Sequence, residues 1–170
     1  MKQLLFSVAL VISLVACGQQ DKSKRPSPPA LAKETTNSGV TITIDYSQPG
    51  VKGRTIGKDL EPLDGKVWRT GANEATVFEI NKDVKVEGKA LAAGKYGLFT
   101  VVNGDEWTII FNKAWKQVGA FNYKEADDAL RVKVKADKTK EFSEKMTFVI
   151  NKNGKVSLLW GDRQVDFKVE

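Results

Sequence analysis

From Val40 onward the chain alternates apolar and polar side chains with a period of two. In "VTITIDYS", Val40, Ile42, Ile44 and Tyr46 fall on one face and Thr41, Thr43, Asp45 and Ser47 on the other. That is the mark of a half-buried strand. "ATVFEI" (75–80) reads as a second strand, and "VKVEGKAL" (84–91) as a third with a turn at Glu87-Gly88. "KYGLFTVV" and "EWTIIFNK" flank Asn103-Gly104-Asp105, a hairpin signal. "LRVKVKAD" sets Leu130, Val132 and Val134 against Arg131, Lys133 and Lys135. "KMTFVINK" and "KVSLLW" flank Asn153-Gly154, the strongest hairpin signal in the chain, and "RQVDFKVE" closes the pattern with Val165, Phe167 and Val169.

About nine short strands at regular spacing predict one all-β domain over residues 39–170. The expected architecture is an antiparallel β-sandwich, with a closed β-barrel as the alternative. Only Tyr123 to Leu130 looks helical, for two turns at most.

The first residues follow a different pattern. "MKQLLFSVALVISLVAC" opens on Lys2, continues with an apolar run too short to span a bilayer as a mature helix, and ends in Leu14-Val15-Ala16-Cys17. This resembles the lipobox of bacterial lipoprotein signal peptides, which implies a leader over residues 1–16 and acyl chains on Cys17. Acyl chains partition into lipid with about 0.8 kcal/mol per buried methylene, so the expected partner here is a membrane. Gly18 rather than aspartate follows the cysteine, which favours the outer membrane of the cell envelope. Residues 17–38 carry Pro26, Pro28 and Pro29 among Lys, Ser, Thr and Gln, and read as a lipidated cysteine followed by a disordered tether.

Composition narrows the chemistry. There is no histidine, so no Ser-His-Asp triad and no histidine metal ligand exists, and a single cysteine leaves no internal disulfide. Net charge is +6, but lysines and acids are interspersed along every segment. A duplex-binding protein concentrates its basic residues on one stripe, so nucleic acid is not an expected partner. No cofactor or metal is expected: Asp105-Glu106 and Asp127-Asp128 lack the alternating oxygen spacing of a calcium loop.

The richest cluster is "PLDGKVWRTGANEAT", residues 62–76. Arginine is scarce, five against 22 lysines, yet Arg54 and Arg69 fall in or beside this stretch. Arginine makes bidentate contacts that lysine does not. Two readings stay open. Arg69 and Glu74 pair across the Gly71 turn as a structural lock, with Trp68 in the core; or Arg54, Arg69, Asn73 and Glu74 line a pocket, with Trp68, Tyr96 or Trp107 as its apolar wall.

"YSQPGVKGRTIG", "KVWRTGANEAT", "LAAGKYGLFTV", "EWTIIFNK" and "GAFNY", in this order, resemble the bacterial envelope family known as domain of unknown function 2911 (DUF2911). The resemblance covers roughly residues 40–150. It implies a lipid-anchored or secreted protein and marks Arg54, Trp68, Arg69, Gly71, Asn73, Glu74, Tyr96, Gly97, Trp107 and Asn112 as signature positions. It carries no established activity, but it moves the weight towards a shared polar site.

Three functions follow as expectations. The first is a non-catalytic binding module for a small polar ligand, a sugar or an anion, at Arg54, Trp68, Arg69, Asn73, Glu74 and Tyr96. The second is a structural or assembly protein contacting other envelope proteins. The third is a carboxylate-based hydrolase pairing Glu74 with Asp45 or Glu106, for which nothing in the spacing singles out a catalytic residue. Trp115, in "NKAWKQ", is the candidate for an exposed stacking face.

Overall fold

A computed structural model describes residues 21–170. The leader expected over residues 1–16 and the expected acylation site, Cys17, lie outside the described residues.

The domain is all-β, and every strand ladder in it is antiparallel. Among the described residues ten strands form: β1 (Pro29–Thr35), β2 (Thr41–Ser47), β3 (Val67–Trp68), β4 (Thr76–Ile80), β5 (Val84–Val86), β6 (Lys89–Leu91), β7 (Gly94–Asn103), β8 (Glu106–Asn112), β9 (Asp128–Ile150) and β10 (Lys155–Lys168). One strongly curled sheet runs β1-β2-β4-β7-β8-β9-β10, with β3 paired to β7. β5 and β6 make a second, small sheet fastened to the end of β10 through Lys85 and Glu170.

Three expectations change. The tether expected over 17–38 is partly a strand: Pro29 to Thr35 pairs with Ser47 to Thr41 in full register. "LRVKVKAD" and "KMTFVINK" are two ends of a single strand, β9, whose middle is too exposed on both faces to show a period. The helix expected at 123–130 is only a 3-10 turn, Glu125–Asp127, because Asp128 already starts β9 and pairs with Asn112.

The curl comes from the β9–β10 hairpin. Its first half pairs with β8, while register shifts on both sides of Gly161 bend the rest away. The distal half then meets the far end of the sheet, where Val51 N–H donates to the Glu144 carbonyl at 2.8 Å and Met146 N–H to the Pro49 carbonyl at 3.0 Å. The result is a half-barrel whose concave side holds the core. Phe78 and Phe111 cross edge to face at 4.9 Å, Tyr46 and Phe148 at 5.0 Å, and Phe167 of β10 reaches Phe111 at 6.0 Å.

β7 is buried on both faces because its convex side is covered as well. Phe99 and Ile110 pack there with Ala75, under Ala120 and Tyr123 of the 113–127 loop. Asn112 anchors that loop: fully buried, it donates to the Lys124 carbonyl and to Asp128, and accepts from Ala114 N–H.

Candidate functional site

The segment 68–76 is a corner held from three sides. Trp68 is buried in the core and donates its indole N–H to the Gly71 carbonyl at 3.0 Å, three residues on. Thr76 Oγ1 closes the same turn on the Thr70 carbonyl at 2.7 Å. Gly71 is required by close approach, since a Cβ there would stand 2.9 Å from Thr76 Oγ1 and 3.1 Å from the Ser47 carbonyl oxygen. Thr70, buried, has φ of 51°. A β-branched residue in the left-handed region is strained by about 1–3 kcal/mol, a feature that clusters at functional sites.

Arg69, next to this strained residue, lines a small cavity of about 140 Å³ together with Arg54, Glu61, Ser27, Trp68 and Trp160. Its Nε is buried and has no hydrogen-bond partner among the described residues. Neither Arg69 nor Arg54 forms an ion pair there, whereas Arg25, Arg131 and Arg163 each do. Burial lowers the Arg69 pKa from its ordinary value, partly opposed by the charge of Glu61. Glu61 is itself engaged: its Oε2 accepts from Leu63 N–H at 2.8 Å and its carbonyl from the Trp160 indole at 2.8 Å. Arg54 is pinned by its own loop, donating from Nε to the Val51 carbonyl at 3.1 Å and from Nη2 to the Gly50 carbonyl at 2.7 Å. Two oriented guanidinium groups against one carboxylate leave the cavity with a net charge of one positive unit.

The Arg69–Glu74 lock does not form. Glu74 instead turns to the N-terminal segment, where Arg25 Nη1 donates to both carboxylate oxygens at 3.0 and 2.9 Å and Lys22 Nζ approaches at 3.1 Å. Asn73, with φ of 55°, donates from Nδ2 to the Ser27 carbonyl at 3.0 Å. Asn73 and Glu74 therefore hold residues 22–27 in place, and Ser27 forms one wall of the arginine cavity. The Glu74 carboxyl is held down at about 2, first by the backbone N–H of Glu74 itself and then, against burial, which raises it, by Arg25 and Lys22.

The remaining candidates separate. Tyr96 is a core residue, packed on Phe111 and donating its hydroxyl to the Ala92 carbonyl at 2.8 Å. Trp107 is buried edge to face against Trp68 at 6.5 Å. Trp115 is half-buried, with Lys116 Nζ 4.9 Å and Lys95 Nζ 5.5 Å from its ring centroid. Glu74 and Asp45 do line one cavity of about 270 Å³, in which the Glu74 carboxylate is engaged by Arg25 and Lys22. Glu106 is remote from them, paired with Lys133 at the start of β8. Among the described residues no group of three or more Cys, Asp or Glu is placed to hold a metal ion.

Sequence reasoning missed Ser27, Glu61 and Trp160 in the cavity and Arg25 beside it. Trp160 carried a signal: it interrupts an apolar strand with a donor that must find a partner when buried. Arg25 carried none, because its partner lies 49 positions away.

The family model described as "Protein of unknown function (DUF2911)" matches residues 27–169, and the chain belongs to that family. Among curated proteins and among solved structures, no match was found.

Proposed function

We propose that this protein is a lipid-anchored, non-catalytic binding module of the bacterial cell envelope, and that its ligand is a small carboxylate held between Arg54 and Arg69. One observation carries the reading: the two arginines without a carboxylate partner among the described residues line the same cavity. A buried guanidinium N–H without an acceptor is costly, and a ligand oxygen supplies the missing partner. The net charge of +1 suits a carboxylate better than a doubly charged phosphate monoester. The strained Thr70 beside Arg69 supports a functional role for the corner. The lipid anchor rests on the Leu14-Val15-Ala16-Cys17 sequence.

Isothermal titration of the purified protein with acetate tests the reading. Saturable binding that Arg69→Gln weakens at least tenfold supports it, and the same affinity in wild type and variant counts against it.

A second reading, contact with another envelope protein, is favoured by Phe121 and Val118, which are 89% and 66% exposed on the 113–127 loop. A pull-down that depends on Phe121 but not on Arg69 would select it.

A further inference from the structure

Arg54 also lines a second and larger cavity, of about 530 Å³. That volume lies within the ~300–1,000 Å³ range of small-molecule sites. It opens where three elements diverge: the 51–62 loop, the β7–β8 turn and the bent middle of the β9–β10 hairpin. Its walls are mixed, with Val51, Ile56, Pro62, Val102, Trp107 and Phe142 on the apolar side and Arg54, Thr55, Asp162 and Arg163 on the polar side.

The bend that creates this cavity is specific. Gly161 pairs with Ser143 between two register shifts and has φ of 62°. A Cβ there would stand 2.5 Å from Ile56 Cδ1 and 3.6 Å from Phe142 Cε2. The absent side chain therefore admits two apolar groups from opposite elements. Phe142 is 61% exposed, an aromatic ring left at the rim of the recess.

The charges at this recess are nearly all spoken for. Arg163 pairs with Asp105 at 2.5 Å, and its Nε lies 3.7 Å from Asp162. Arg54 is the remaining charged group of the lining, and it faces the small arginine cavity as well.

We infer that the two cavities form one bipartite site joined at Arg54, and that its occupant is a carboxylate bearing an apolar body, of the class of medium-chain acyl acids. The carboxylate lies between Arg54 and Arg69, and the hydrocarbon lies along Ile56, Val102 and Phe142. This rests on the carboxylate reading given above and adds the chemical class of the rest of the ligand. A sugar acid would leave Ile56, Val102 and Phe142 without an apolar partner, which separates the two classes.

The test is calorimetric titration of the purified protein with acetate, hexanoate, decanoate and decanol. Each added methylene should tighten binding by about fourfold until the recess is filled. Phe142→Ser, at an exposed position that leaves the core intact, should weaken decanoate at least fivefold and leave acetate unchanged. Arg69→Gln should weaken both acids. Equal affinity for acetate and decanoate, still dependent on Arg69, would overturn this inference while leaving the carboxylate site standing. Decanol and decanoate binding equally, without dependence on Arg69, would overturn both.

Discussion

Arg25 and Glu74 are 49 positions apart in sequence and 2.9 Å apart in space, and their contact ties the segment before β1 to the corner that carries Arg69. The same corner holds that segment a second time through Asn73 and the Ser27 carbonyl. If Cys17 is acylated, the chain that leads from the bilayer thus runs past the arginine cavity before it enters the sheet.

Removing that contact should loosen the segment without unfolding the domain. Glu74 is 42% exposed in its side chain, so the pair contributes about 1 kcal/mol or less to stability. Glu74→Gln is expected to speed tryptic cleavage after Lys22 and Lys24 several-fold, with the melting temperature shifted by only about 2–4 °C. Unchanged cleavage would mean that β1 alone orders this segment.

The same carboxyl sets a pH dependence. Its folded pKa of about 2 lies below its ordinary 4.5, so the contribution is fully present above the ordinary value and is lost as pH falls from there through about 2. A carbon-13 titration of the Glu74 carboxyl should therefore inflect near 2. Arg25→Ala should raise that inflection only partway, because the backbone N–H of Glu74 remains the larger cause. An inflection at the ordinary value in the wild type would show that the clamp is not formed.

The strands were legible because a sheet with one buried face writes its period into the sequence, and Ile42, Ile44 and Phe78 do so plainly. β1 was not, because its pattern is reversed: the small Ala30 and Ala32 turn inward while Leu31 is 64% exposed. Three nearby prolines strengthened the wrong impression. The middle of β9 was illegible for a related reason, since a strand exposed on both faces has no period to read. At the candidate site, the scarcity of arginine draws attention to Arg54 and Arg69, which line one cavity. The partner of Glu74 was beyond reach, because an ion pair between distant segments leaves no local trace.

Two glycines separate conformational strain from collision. Gly104, φ 61°, has open space where a Cβ would stand, whereas at Gly154, φ 87°, a Cβ would lie 2.0 Å from the Val169 carbonyl oxygen. Gly104→Ala should cost about 1–2 kcal/mol, the left-handed penalty alone. Gly154→Ala should cost clearly more in urea unfolding, because the β9–β10 turn must shift away from Val169, just past the end of β10. Equal costs would mean that this end of β10 yields freely.

Trp68→Phe tests the corner. It keeps most of the buried ring but leaves the Gly71 carbonyl without its donor, at a cost of about 1–3 kcal/mol. Loss of that hydrogen bond should also weaken acetate binding, since Arg69 is the next residue. A destabilised protein with unaltered binding would separate the corner from the site.

Cys17→Ala should move the protein from the detergent phase to the aqueous phase in a partitioning experiment, through loss of the acyl chains. Membrane retention of that variant would contradict the lipid anchor.

The central claim, that Arg69 waits for an anionic partner, is tested most directly at its own nitrogen. Nuclear magnetic resonance of the arginine Nε–Hε group, assigned by the Arg69→Gln variant, should show one sheltered signal that moves downfield in a saturable way as acetate or decanoate is added. Signals of Arg131 and Arg163, already paired, should stay where they are. An Arg69 signal that remains fixed while any carboxylate reaches millimolar concentration would contradict the account.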